Sequence, residues 1–361
     1  MIKRLLPLCY FISILLLFSA CGNPGQAQLN TTAAQTAISP TATGTFQEYS
    51  LPQANSGLMR PTIDHQGRLW FGEMGHNFLA SFDPQTHTFQ QITPPHGKAG
   101  IMGIAVAPDD TIWFAEQYAN YIGHYHPGTH TFQTYPLPTI KAPDPNNNNS
   151  LQTLPLAPND ITLDSHGNIW FTELNSDSIG MLNSKTGIFK HYQISAKKTV
   201  QTFNPYGITA DAQGNIWFTE SSTNRLGRLD PNTGNIHFFT TQNNTDALME
   251  VTNDQHGTIW TTGFTNGLLL RLDPQTGKLT SYQAPGNKPG GIYVLATTST
   301  GELWMTLPAH NALARFDSRT NHFAYYPLPT ENSFPLGLVM GKNHTLWFTE
   351  AGSDKIGMLQ L

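Results

Sequence analysis

Tryptophan occurs seven times in this 361-residue chain, each time in a similar context. The positions are Trp70, Trp113, Trp170, Trp217, Trp260, Trp304 and Trp347, separated by 43, 57, 47, 43, 44 and 43 residues. Around them recurs D-x-x-G-x-[IL]-W-[FT]-x-E, clearest at 164–173 and 211–220. A segment such as SIGMLN or RLGRLD follows, then a DPNTG or DPQTG turn, then an alternating stretch such as TFQTYPLP at 131–138. Each unit thus offers four short strands, rich in Ile, Leu, Trp, Phe, Tyr and Thr and bounded by Gly, Pro, Asn and Asp. A period of 40 to 50 residues with four strands per unit predicts an all-β, seven-bladed propeller of antiparallel sheets. With 31 Gly and 25 Pro there is little room for long helices.

A solenoid would need end caps of atypical sequence. This chain instead stops at KIGMLQL, residues 355–361, a third strand with no fourth. The missing strand has its match near the other terminus, where TFQEYSLP at 45–52 resembles TFQTYPLP and HFAYYPLP. The N-terminal strand is therefore expected to complete the last blade and remove an exposed sheet edge. The propeller is assigned to residues 44–361, with the indoles as packing between blades.

The first residues read differently. Lys3 and Arg4 precede an apolar run over 5–18, then Ser19, Ala20 and Cys21. A basic start, a hydrophobic middle and small residues describe an export signal over 1–20. Cys21 after Ser19-Ala20 resembles the lipobox of bacterial lipoproteins, which implies a lipid on its thiol and a membrane-anchored, extracytoplasmic protein. Residues 21–43, rich in Thr, Ala, Gln and Ser, are expected to be a flexible tether. Loss of Lys3 and Arg4 takes the net charge from −5 to −7, so phosphate contacts to a nucleic acid are not expected. Loss of Cys9, one of two cysteines, leaves no internal disulfide. A monomer is expected.

Antiparallel blades place residues about eleven before and three after each Trp on one rim, together with the blade-to-blade connections. The Asp-x-x-Gly and DPxTG turns fall on the opposite rim. The connections carry the length variation, notably 139–157 with its PNNNN run and 195–204, so binding is expected on this loop-rich rim. Three residues after Trp stand Glu73, Glu116, Glu173, Glu220, Gly263, Leu307 and Glu350. If the five carboxylates converge, they form an acidic ring able to hold a divalent cation or to raise one another's pKa. Eleven residues before Trp stand Met59, Met102, Asn159, Tyr206, Met249, Tyr293 and Leu336, a ring suited to an adaptable apolar ligand. Seven after Trp, Asn77, Asn120, Asp177, Asn224, Gly267, Asn311 and Asp354 read as turn residues. His124, His126 and His130 are strand and turn residues by the same phasing, not a metal cluster.

The repeated WFTE, with IGML or LGRL after it and PYGI at 205–208 before it, resembles the streptogramin B lyase family. That resemblance implies a seven-bladed propeller and a magnesium-assisted elimination that opens a cyclic depsipeptide at its ester. It also implies His residues in a P-H-[GA]-I motif, or an E-P-H variant, opening certain blades, with a WFxE Glu as partner. The His slots here are the Met59 to Leu336 column, and none is His. The slots two residues earlier hold Gly57, Gly100, Ala157, Asn204, Ala247, Gly291 and Phe334, and none is Glu. Three functions are weighed. One is a binding propeller for a small cyclic peptide, glycan or protein, using Met59, Met102, Asn159, Tyr206, Met249 and Tyr293. Another is a lyase using Glu173, Glu220 and Tyr206, with Mg or Ca held among Glu73, Glu116, Glu173, Glu220 and Glu350. The last is a calcium-dependent lactonase.

Overall fold

The computed structural model describes residues 32–34, 38–42, 44–144, 147–194, 204–241, 246–285, 291–298 and 300–361. The export signal, Cys21 and most of the tether lie outside the described residues. Seven antiparallel sheets, one per Trp, form the blades of an all-β propeller. In blade three the strands are Pro158–Leu163, Ile169–Glu173, Ser178–Leu182 and Phe189–Gln193, running from the axis outward. The second strands, such as Ile169–Glu173 and Ile216–Glu220, are buried at all five positions because a neighbouring blade covers each face. Outer strands such as Thr131–Pro136 alternate between exposed and half-buried. The difference follows from position in the blade, since both kinds are built from the same residue types.

All seven indoles are buried between blades. In four blades the Asp-x-x-Gly turn does two jobs. Asp164 Oδ1 accepts the backbone N–H of His166 and Asn168, while Oδ2 accepts Trp170 Nε1 at 2.8 Å. Asp64, Asp211 and Asp254 hold Trp70, Trp217 and Trp260 in the same way. The residues seven after Trp all adopt left-handed backbone, with φ between +50° and +66°. At Asn77, Asn120, Asn311 and Asp354 the side chain reaches past the turn to the next connection. Asn120 Oδ1 accepts from Leu156 and Ala157, and Asn311 Oδ1 accepts from Ser333.

The ring closes as the sequence indicates. Thr45–Ser50 pairs antiparallel with Lys355–Gln360 and supplies the outer strand of blade seven. Lys355 Nζ lies 2.6 Å from Glu48 Oε2, and Phe46 packs edge-on against Phe348. Asp354 then receives the N–H groups of Asn55 and Ser56, latching blade seven to blade one. Within the span expected to be a tether, Thr32–Ala34 and Ile38–Thr41 instead run parallel to the outer strands of blades five and six. Backbone pairing to those open edges needs no apolar side chain, which is why composition did not reveal it. The long excursion after blade two is a separate hairpin of Thr139–Asp144 and Asn147–Pro155.

Candidate functional site

The five WFxE carboxylates share a rim but do not meet, which corrects the expectation of an acidic ring. Each is buried and engaged within its own blade or with the adjoining connection. Glu73 accepts Gln91 Nε2 at 3.0 Å, and Glu116 Oε2 lies 2.7 Å from His96 Nδ1. Glu173 holds His191 Nδ1 at 2.7 Å and Ser176 Oγ at 2.6 Å. Glu220 takes a two-point contact from Arg225 at 2.7 and 2.9 Å, and Glu350 accepts Ser353 Oγ at 2.7 Å. Their partners on the third and fourth strands lie outward from the axis. Gly180 makes room for this, since a Cβ there would fall 2.7 Å from Glu173 Oε1. Burial raises the carboxyls of Glu73, Glu116, Glu220 and Glu350. Glu173, Glu220 and Tyr206 therefore do not assemble as one catalytic group.

A different set reaches the axis. Arg60 of blade one extends between Asp160 of blade three and Glu250 of blade five, with Nη1 2.7 Å from Asp160 Oδ2 and 3.0 Å from Glu250 Oε2. Its guanidinium stands 5.5 Å from the Tyr206 ring centroid, and Tyr206 and Tyr293 share a 2.6 Å hydroxyl hydrogen bond. All five side chains come from innermost segments, ten or eleven residues before the Trp of each blade. A regular strand would point consecutive residues to opposite faces. Here the ladder shifts register between Pro158 and Ile161, Pro205 and Ile208, and Leu248 and Val251. Such bulges re-aim side chains, so both positions can serve the axis.

The ten-before column reads Arg60, Gly103, Asp160, Gly207, Glu250, Val294 and Gly337. Each glycine sits against the backbone of the charged residue one blade on. A Cβ at Gly103 would lie 2.8 Å from Asp160 Cα, and one at Gly337 would lie 2.8 Å from Arg60 Cα. Three ionisable residues in a slot otherwise small or apolar are the signal that sequence reading missed. Threonines set the phase between blades. Thr172 Oγ1 donates to the Tyr206 carbonyl, and Thr219 Oγ1 to that of Met249.

The cluster is charged and tightly enclosed. Burial works against the Arg60 charge, but the two carboxylates outweigh it and hold the guanidinium ionised. Burial pushes the Glu250 carboxyl up to about 8 against the pull of Arg60, and Asp160 adds to the rise. Burial and the paired phenol raise Tyr206 well above the ordinary range, and burial raises Tyr293. Glu250 Oε2 is within ion-pair distance of Arg60 yet receives no directed hydrogen bond, and Arg60 Nη2 has no partner.

Around this cluster the eleven-before ring takes its place. Met59, Met102, Asn159, Tyr206, Tyr293 and Leu336 are buried, and Met249 is half-buried. Asn159 is a network residue, donating to the Tyr206 carbonyl and accepting from Gln117. Half-buried Leu174, Met249, Phe264 and Ala351, from blades three, five and seven, pack against the apolar cluster that contains Tyr206, Tyr293 and Leu336, and Phe264 packs edge-on against Tyr293. Apolar side chains thus adjoin the charged cluster, with Tyr206 and Tyr293 common to both. Among the described residues, no group of three or more His, Cys, Asp or Glu could hold a metal ion. The carboxylates present are each engaged with a separate partner (Gln91, His96, His191, Arg225 or Ser353) or divided by the Arg60 guanidinium, and neither arrangement fits the oxygen cage that magnesium or calcium requires.

The comparisons agree with this architecture. The family described as virginiamycin B lyase matches residues 146–361. A solved structure described as streptogramin B lyase is 29% identical, covers 87% of this chain and 97% of its own, and superposes with a TM-score of 0.76. Virginiamycin B lyase from Staphylococcus aureus is 25% identical over 88% of this chain and 99% of its own, with a TM-score of 0.75. A catalytically inactive variant of that enzyme, solved with quinupristin, gives the same values. No curated protein matches the chain in sequence. With seven blades, the WFxE repeat and a match over more than half its length, the chain belongs to the virginiamycin B lyase family.

Proposed function

We propose that the protein is an exported, surface-anchored binding propeller that takes a small amphipathic ligand at the axial mouth of its loop-rich rim. The export and anchoring part rests on Lys3, Arg4, the apolar run over 5–18 and Cys21. The binding part rests on one observation. Half-buried Leu174, Met249, Phe264 and Ala351 pack against the apolar cluster that contains Tyr206 and Tyr293, the same two phenols that adjoin Arg60, Asp160 and Glu250, while the repeated glutamates are occupied elsewhere. Concave apolar walls with a few convergent polar groups are the usual form of a small-molecule site. A small cyclic peptide suits it better than an extended glycan, because the polar groups converge at one point on the axis.

The second reading is a lyase acting on a cyclic depsipeptide ester. Its support is Glu250, whose carboxyl is raised to about 8 beside two phenols and so is placed for proton transfer near neutral pH. No observation favours the lactonase reading. Calorimetry and mass spectrometry with a panel of cyclic depsipeptides and lactones separate the two. Saturable binding without ring opening, weakened at least tenfold by Phe264→Ala, supports the binding protein. Ring opening lost in Glu250→Gln supports the lyase. Absence of binding across the panel removes both.

A further inference from the structure

We infer that the axial cluster selects an organic cation, an ammonium group carried on an apolar body, as the ligand of this mouth. The inference rests on the reading that the mouth binds a ligand at all. Its basis is the charge arrangement. One guanidinium faces two carboxylates, so the fully ionised cluster carries a net charge of −1. The side chains of Asp160 and Glu250 are each 9% exposed and that of Arg60 is 14% exposed. Asp160 Oδ2 is well supplied, by Arg60 and the N–H of Ile208. Glu250 Oε2 is buried and lies 3.0 Å from Arg60 Nη1, but receives no directed hydrogen bond, so it has capacity left for a second positive charge.

The walls suit the same ligand. Tyr206 and Tyr293 flank the cluster, Phe264 packs on Tyr293 with ring centroids 5.9 Å apart, and Met249 packs against the same apolar cluster. Aromatic faces and polarisable thioethers attract ammonium groups. An anionic ligand would instead meet two carboxylates around a guanidinium they already occupy. The titratable and charged groups facing Glu250 are Arg60, Asp160 and Tyr293, with Tyr206 joined to the set through its hydrogen bond to Tyr293. With its carboxyl raised to about 8, Glu250 is mostly protonated at pH 7. A bound cation favours the ionised form, so binding at neutral pH releases a proton to solvent.

Three probes on the full chain test this: benzyltrimethylammonium, benzyl alcohol and benzoate, which share a ring and differ in charge. The ammonium should bind at least tenfold tighter than benzyl alcohol, with benzoate weakest. Its affinity should rise about tenfold between pH 7 and pH 9, since only about a tenth of Glu250 is ionised at the lower pH. Calorimetry in buffers of different ionisation enthalpy should show proton release at pH 7 and none at pH 9. Glu250→Gln should abolish the pH dependence and most of the preference for the ammonium over benzyl alcohol. Equal binding of the ammonium and the alcohol overturns the cation inference but leaves the ligand-binding mouth standing. So does an ammonium affinity independent of pH in the wild-type chain, a readout that requires no variant to fold. If none of the probes binds, the inference also falls, and the depsipeptide panel decides the mouth on its own.

Discussion

Two sets of ionisable residues occupy the same rim and do opposite things. The first repeats with the fold: Glu73, Glu116, Glu173, Glu220 and Glu350 recur at one position in five blades, and each is absorbed by its own surroundings. The second does not repeat. Arg60, Asp160 and Glu250 each occupy a slot that is glycine or valine in the other blades, and they meet across the axis. Repetition at a fixed phase is the mark of a local structural task, since every blade must solve the same packing and hydrogen-bonding problem. A departure from the repeat, placed where all blades converge, marks the site.

The contrast is open to three tests. The largest effect is expected from Glu220→Ala, which leaves Arg225 half-enclosed without its two-point partner. Removing one member of such a pair costs about 3 kcal/mol, read by urea unfolding. Binding at the axial mouth should be unchanged. A loss of binding with no loss of stability would invert the assignment of the two sets.

The next effect concerns Glu250. Its folded pKa lies above the unfolded value, so the folded state binds more protons between about pH 5 and pH 8. Stability should therefore fall as pH rises through that window, by at most about 1.4 kcal/mol per pH unit. Unfolding of wild type and Glu250→Gln compared at pH 5 and pH 8 checks it, with the variant showing the flatter profile. The smallest effect belongs to His191, whose pKa is raised by its hydrogen bond to Glu173. Its contribution should be present at pH 6 and fade as pH rises through the folded pKa. The imidazole is one-third exposed, so the change in His191→Gln should be no more than about 0.5 kcal/mol.

Much of the molecule was legible in its residues because the instructions are local and repeated. The indole spacing marks seven sheets, each Asp-x-x-Gly turn carries its own hydrogen bonds, and the likeness of 45–52 to outer strands foretells ring closure. Two short parallel strands near the N-terminus escaped detection, because pairing to an open sheet edge is a backbone interaction that composition does not mark. The eleven-before column was found by phase and does line the mouth. Its neighbour, ten before Trp, was passed over because strict alternation sends consecutive residues to opposite faces.

That alternation fails at the bulges, and bulges arise from the fit of inner strands around the axis. Period and turn chemistry act over a few residues, so the chain's own order was enough to set the blade number, the closure and the identity of the rims. The meeting of Arg60 with Asp160, 100 positions on, and with Glu250, a further 90 on, exists only once the ring has closed. So do the outward commitment of five glutamates and the raised proton affinity of one buried carboxyl. These depend on which groups share a dry interior, and no spacing along the chain encodes that.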